Sequence, residues 1–147
     1  MRNLKSLVDN ISNKLKGYAT QPSAYRVFAL YGAPLHHKTT IAKKLSQEFG
    51  GKYIDLLGDK LKELDPRVGL YTPADFKKDI GSWSKESASL LVIDEIEALL
   101  DTWTREEQKN LFKLLSRWRT NCIILIVTRL NLPYEELLGS ERILNAG

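Results

Sequence analysis

The architecture of this chain follows from the segment Gly32-Ala33-Pro34-Leu35-His36-His37-Lys38-Thr39, which comes directly after the apolar run Val27-Phe28-Ala29-Leu30-Tyr31. A short strand, a glycine turn and a Lys-Thr pair that opens a helix are typical of a phosphate-binding loop. Backbone N–H groups of such a loop surround nucleotide phosphates, and the helix points the positive end of its dipole at them. We therefore expect the nucleotide to contact Gly32, Ala33, Pro34, Leu35, His36, His37, Lys38, Thr39 and Thr40.

Two side chains of this loop have expected chemical roles, and one residue departs from the usual pattern. Lys38 is predicted to reach the β- and γ-phosphates of ATP, and the Thr39 hydroxyl is predicted to bind Mg²⁺. His37 stands where the pattern G-x-x-x-x-G-K-[ST] has its second glycine. Glycine serves where φ is positive or the backbone must approach a ligand closely. Because histidine tolerates left-handed φ better than most residues, we expect the site to work but to be weakened.

A second apolar run, Leu90-Leu91-Val92-Ile93, ends in the two carboxylates Asp94 and Glu95. A short β-branched run of this kind predicts a strand buried on both faces of a parallel sheet. Open α/β sheets build their sites at the carboxyl ends of such strands. Asp94 is therefore predicted to face Mg²⁺ through water, and Glu95 is predicted to face the attacking water.

A third apolar run covers residues 122–127 and ends in Thr128. The order of phosphate loop, Asp-Glu strand and polar strand end resembles the core α/β domain of AAA+ ATPases over about residues 27–144. The resemblance implies that Thr128 helps to place the attacking water, although asparagine is commoner there in the family. It also implies an arginine that completes the neighbouring subunit's site. Arg142 stands in the corresponding region, and Arg129, Arg117 and Arg119 are alternatives.

The resemblance also sets expectations about partners. AAA+ proteins usually continue into a helical lid, and we expect this chain to be a core without one. In its length, short leading helix and lidless core, the chain is similar to the small P-loop (BrxF) proteins of type 3 BREX bacteriophage-exclusion systems. That similarity implies a defence role beside a large ATPase, a DNA methyltransferase and a phosphatase-like protein. We expect a homo-oligomer, a larger ATPase partner, or both.

Composition bounds the remaining possibilities. With 147 residues, 43% of them hydrophobic and 27% charged, the chain suits a single core. The net charge of +4 permits contact with DNA, directly or through partners, without demanding it. Cys122 lies within an apolar run and indicates a core residue, so no disulfide framework or metal cluster is expected. Without a signal peptide or an apolar stretch of membrane length, we expect a cytoplasmic protein that contacts no membrane.

The predicted architecture is a doubly wound α/β three-layer sandwich with a mainly parallel, five-stranded sheet. Residues 1–20 are predicted to form an amphipathic helix, stopped by Gly17, and a linker, and residues 21–147 to form the core domain. The apolar face of the leading helix is expected to offer a packing surface for assembly. Further predicted elements are a strand over 53–57, helical segments over 72–81, 96–100, 104–118 and 132–138, and a final strand at 143–144. Thr72 is the predicted N-cap of the helix over 72–81, and Thr104 is predicted to open the helix over 104–118 with a capping box.

Three classes of function remain open. The first is an ATPase that assembles on nucleotide, which the Asp94-Glu95 pair favours. The second is a nucleotide-sensing or scaffolding subunit without turnover, which His37 favours. The third is a small P-loop kinase, in which Asp55 at the second strand end would bind the acceptor.

Overall fold

The fold is taken from a computed structural model, which describes residues 4–19, 25–32, 38–59, 71–86, 89–118, 122–129, 132–139 and 142–145. Five parallel strands form one sheet, in the spatial order β2-β3-β4-β1-β5. Their bounds are Val27–Tyr31 (β1), Lys52–Asp55 (β2), Leu90–Asp94 (β3), Ile123–Thr128 (β4) and Ile143–Asn145 (β5). The predicted five-stranded parallel α/β sheet is therefore confirmed.

Helices cover both faces of this sheet. They are Leu4–Ala19 (α1), Lys38–Phe49 (α2), Leu56–Asp59 (α3), Pro73–Lys85 (α4), Glu97–Leu100 (α5), Arg105–Ser116 (α6) and Tyr134–Leu138 (α7). Because successive side chains of a strand point to opposite faces, each strand supplies both cores. One core joins Ala29, Ile93 and Ile126 to helices α4 to α7. The other joins Phe28, Val92 and Leu125 to α1 and α2, which makes three layers.

Helix α1 belongs to the second core through its apolar face. Leu7, Val8, Ile11 and Leu15 are buried against residues of α2 and the sheet. The expectation that this face is free for assembly is therefore wrong, because the chain's own core covers it. Gly17 does not stop the helix either, since α1 continues to Ala19. Local glycine propensity costs only about 1 kcal/mol, which the packing of a 16-residue helix can exceed.

Local signals set three further element boundaries. The predicted caps at Thr72 and Thr104 both form capping boxes, with Asp75 and Glu107 as the reciprocal partners. Strand β2 ends at Asp55 instead of continuing to residue 57, and residue 56 opens α3. The Asp55 carboxylate accepts a hydrogen bond from the Gly58 N–H at 3.2 Å, which favours a turn over an extended chain.

Helix α4 runs past the expected end near Gly81 to Lys85. Ile80 and Ser84 are buried on either side of this glycine, and the Ser84 hydroxyl donates to the Gly81 carbonyl oxygen at 2.8 Å. A Cβ placed on Gly81 would lie 3.5 Å from the Trp118 ring. The burial of both flanking turns explains why the helix passes through a residue of low helical propensity.

Candidate nucleotide and metal site

The predicted site residues meet at the carboxyl edge of the sheet. Tyr31, the last residue of β1, pairs with Thr128, and Asp55 pairs with Asp94. Gly32 follows β1 directly and is buried, and Lys38 is the first residue of α2. Ala33, Pro34, Leu35, His36 and His37 lie outside the described residues. The end of the loop and the strand ends are therefore brought together as the sequence predicted, while the loop itself is not described.

Asp94 is the most tightly bonded side chain of the site. It is 4% exposed, and its Oδ2 atom accepts hydrogen bonds from Thr39 Oγ1 at 2.7 Å and from Tyr53 Oη at 2.5 Å. Its Oδ1 atom accepts from the Glu95 backbone N–H at 2.8 Å. Three donors thus hold one carboxylate in a fixed orientation beside the Thr39 hydroxyl.

Tyr53 is a site residue that the sequence did not reveal. Its ring is half-buried and packs against the core below α2, and the Lys43 Nζ atom lies 5.5 Å from the ring centroid. Burial, followed by the hydrogen bond to Asp94, raises the pKa of the Tyr53 hydroxyl far above its usual range. Only the pairing of β2 with β3, which the local sequence does not specify, brings Tyr53 to Asp94.

Glu95 follows Asp94 in an unusual backbone conformation. Its φ is +60°, the only positive φ of a non-glycine residue in the described part of the chain. Such a conformation is uncommon and concentrates at functional positions. Burial raises the pKa of the half-buried Glu95 carboxyl, and the nearby carboxylates of Asp94, Glu97 and Asp55 raise it further. A carboxylate with a raised pKa is a stronger base once it is ionised.

Lys38 is close enough to Glu97 for the charge of Glu97 to affect its pKa. Burial lowers the pKa of the Lys38 ammonium, whereas the negative charge of Glu97 opposes that change. Glu97 is 8% exposed, and its Oε1 atom accepts from the Arg129 backbone N–H at 2.7 Å. This bond connects the turn after β4 to the helix after β3. The sequence offered one signal for Glu97, a third acid two positions beyond Glu95, but its significance depends on the fold.

Thr128 lies at the end of β4, where it was predicted, with a fully buried side chain. Its Oγ1 atom is 3.1 Å from the Tyr134 hydroxyl. The Tyr134 ring contacts Tyr31 and Phe112 at centroid distances of 5.6 and 5.2 Å. Burial raises the pKa of the Tyr134 hydroxyl above its usual range. The Thr128 hydroxyl is thus hydrogen-bonded to Tyr134, whose ring packs against Tyr31 at the end of β1 and against Phe112.

The candidate arginines occupy different places. Arg142 immediately precedes β5, whose first residue pairs with Ala29 in the middle of β1, so Arg142 lies away from the carboxyl edge. Its guanidinium donates to the Ser116 carbonyl oxygen at 2.8 Å and lies 5.6 Å from the Tyr25 ring centroid. Arg129 is exposed directly after Thr128, and Arg117 is exposed at the end of α6. Arg119 lies outside the described residues.

The Thr39 and Asp94 oxygens fit Mg²⁺. This ion prefers oxygen ligands and usually takes only one or two from the protein, the rest coming from phosphates and water. Among the described residues, no cluster of three His, Cys, Asp or Glu side chains could hold a metal ion by itself. The buried Asp94 carboxylate, oriented beside the Thr39 hydroxyl, supplies the one or two protein ligands that Mg²⁺ usually takes.

No helix in the described ranges is both long enough and apolar enough to span a bilayer.

The chain has similarities to known proteins. The family model described as the ATPase family associated with various cellular activities (AAA) matches residues 28–145. The structure of C. elegans PCH-2 superposes with a TM-score of 0.56 at 16% identity, covering 98% of this chain and 42% of that one. The FIGL-1 AAA domain in complex with ADP gives a TM-score of 0.49 at 15% identity, covering 97% and 50%. This chain thus spans half or less of the length of each of these two protein chains. No curated protein matches the sequence.

Proposed function

Because the chain belongs to the AAA family of ATPases, we propose that its own site binds ATP with Mg²⁺ and hydrolyses ATP to ADP and phosphate. The observation that carries this proposal is the buried Asp94 carboxylate, hydrogen-bonded to Thr39 and followed directly by Glu95. A carboxylate for the metal and a second one for water, at the edge where the phosphate loop ends, suit phosphoryl transfer to water.

Each residue then has a defined task. The Lys38 ammonium binds the β- and γ-phosphate oxygens, assisted by the backbone of the loop from Gly32 to Thr40. Thr39 and Asp94 would hold Mg²⁺, which supplies positive charge to the phosphates. Glu95 accepts a proton from the attacking water, and Thr128 helps to orient that water. The raised pKa of Glu95 supports its assignment as the base.

We further propose that the site is completed in trans. AAA ATPases commonly oligomerise, and an arginine from a neighbouring subunit contributes about 10³–10⁵ to the rate of related enzymes. Arg142 is the proposed residue, and it must then exchange its Ser116 carbonyl partner for the neighbour's nucleotide. Arg129 is the competing candidate, because it is exposed at the site itself.

The biological setting that we propose is a phage-defence complex of the type 3 BREX kind. The similarity in the leading helix, which precedes the P-loop core, supports it. The neighbour would then be a second copy of this chain or a larger ATPase, and DNA would be contacted directly or through those partners. We expect such a protein to work in the cytoplasm.

A nucleotide-sensing subunit without turnover is the second candidate. The observation that favours it is His37, which replaces a glycine at a position of close backbone approach. A kinase is less well supported, because the Asp55 carboxylate that would bind the acceptor accepts a hydrogen bond from the Gly58 N–H. The Asp94-Glu95 pair also suits water better than an alcohol acceptor.

The deciding experiment compares ATP hydrolysis by the parent protein, Glu95→Gln and Glu48→Gln. Glu48 is an exposed glutamate of α2, so its variant controls for the loss of one carboxylate. Glu95→Gln should bind ATP normally and hydrolyse it about 10²- to 10⁴-fold more slowly, because the base is lost. Binding without hydrolysis in the parent, even with candidate partners and DNA present, would favour the sensing subunit instead.

A further inference from the structure

We infer that Tyr53 is a positioning residue for the magnesium site, acting through the carboxylate of Asp94. This inference rests on the proposed function. The Tyr53 hydroxyl donates to Asp94 Oδ2 at 2.5 Å, and Thr39 Oγ1 donates to the same oxygen at 2.7 Å. The side chain from β2 therefore supports the two groups to which magnesium binding is assigned.

The position of Tyr53 makes it suited to this task. Its ring packs into the core between the sheet and α2, with Phe49 beside the same cluster. The Lys43 ammonium, one helical turn after Thr39 on α2, lies 5.5 Å from the ring centroid. These contacts hold the ring between α2 and the sheet, so the hydroxyl presents its proton to Asp94 from a fixed direction.

The two hydroxyls are not equivalent in their expected behaviour. Thr39 is expected to give an oxygen lone pair to Mg²⁺ while its proton faces Asp94. Tyr53 lies on β2, and its hydroxyl donates to the Oδ2 atom of Asp94, whereas the Glu95 backbone N–H donates to the Oδ1 atom. It therefore orients Asp94 whether or not the metal is bound. Partners of this outer kind fix ligand orientation, and their loss typically weakens metal affinity by about 10- to 100-fold.

The test is Tyr53→Phe, which keeps the ring and removes only the hydroxyl. Tyr18→Phe is the matched control, because Tyr18 is at the end of α1, with its ring edge against Phe28. A fluorescent ATP analogue is titrated into the parent protein and each variant, first in EDTA and then at increasing Mg²⁺. Melting curves without nucleotide check that both variants are folded.

We expect Tyr53→Phe to bind the nucleotide like the parent in EDTA and to need about 10-fold more Mg²⁺ for half of the magnesium-dependent gain in affinity. Tyr18→Phe should match the parent in both conditions. If Tyr53→Phe shows the parent's Mg²⁺ midpoint, the inference is overturned. An equal loss of affinity in EDTA and in Mg²⁺ would also overturn it, because the hydroxyl would then support the fold or the loop instead of the metal.

Failure of the proposed function has a different signature. In that case the parent itself binds no nucleotide, or Lys38→Ala binds it as tightly as the parent does. If the parent binds, Lys38→Ala does not, and the Mg²⁺ midpoint of Tyr53→Phe is unchanged, only the role of Tyr53 is excluded.

Discussion

Glu95 has surroundings that disfavour its ionised carboxylate. Burial raises its pKa most, the carboxylates of Asp94, Glu97 and Asp55 raise it further, and the charge of Arg129 opposes them. Its backbone also has a φ of +60°. Functional sites commonly retain such costs, because the arrangement serves chemistry better than stability.

Replacing this carboxyl should therefore stabilise the fold. Between the usual glutamate pKa of about 4.3 and the raised value, the folded state binds more protons than the unfolded state, so stability falls as pH rises. Glu95→Gln has no ionisable carboxyl at this position, so it removes this loss of folding stability. We expect a higher melting temperature than the parent's at pH 7, with the difference vanishing below about pH 4.3. Glu48→Gln should show no such pH-dependent gain, and a lower melting temperature for Glu95→Gln at pH 7 would contradict the argument.

At the same scale, the sequence predicted the residues whose chemistry follows from their place along the chain. Lys38 and Thr39 follow a glycine turn, and Asp94 and Thr128 end apolar strands. Tyr53 and Glu97 could not be predicted in this way, because their importance depends on partners far along the chain. Tyr53 meets Asp94 only through sheet pairing, and Glu97 meets the Arg129 N–H only through the turn after β4.

At the scale of elements, local chemistry determined where α4 and α6 start, and tertiary packing determined where α1 and α4 end. The N-cap at Thr72 and the capping box at Thr104 are local and were predicted, and the structure shows that Thr72 also forms a capping box. The passage of α1 through Gly17 and of α4 through Gly81 was not predicted, because burial of flanking residues outweighs a low helical propensity. The early end of β2 follows from the turn bond between Asp55 and Gly58.

Two glycine substitutions test this account in opposite directions. A Cβ on Gly17 would meet no atom within 4 Å, so Gly17→Ala should stabilise the protein by about 0.5–1 kcal/mol. A Cβ on Gly51 would lie 2.4 Å from the Leu90 carbonyl oxygen, so Gly51→Ala should destabilise it. Urea unfolding of both variants measures the two changes. Destabilisation by Gly17→Ala would show that α1 does not run through this position in solution.

At the scale of the whole molecule, the strand order β2-β3-β4-β1-β5 creates the site. It places the phosphate-loop strand β1 next to β4, and β4 next to the Asp-Glu strand β3. The sequence did not predict this order, because the spacing of elements along the chain does not specify which strands are neighbours. The packing of the whole molecule also corrects the predicted role of α1 in assembly, because the apolar face of this helix is internal.

Assembly is therefore expected to involve the nucleotide edge instead of the apolar face of α1. Arg142→Ala should lower hydrolysis while sparing ATP affinity. Mixing it with Lys38→Ala should restore part of the activity, because some interfaces then pair an intact loop with an intact arginine. Light scattering coupled to size-exclusion chromatography establishes that the two variants co-assemble. Without recovery in a co-assembled mixture, Arg142 does not act in trans, and Arg129→Ala becomes the next variant to measure.

ATP binding at the Lys38 site underlies every proposal made for this protein, and equilibrium titration of ATP with Mg²⁺ measures that binding. The parent is compared with Lys38→Ala and with Lys44→Ala, which removes an exposed lysine from the same helix. We predict that the parent and Lys44→Ala bind ATP with equal Kd and that Lys38→Ala shows no saturable binding. Equal binding by Lys38→Ala, or no binding by the parent, would show that Lys38 does not form part of an ATP site.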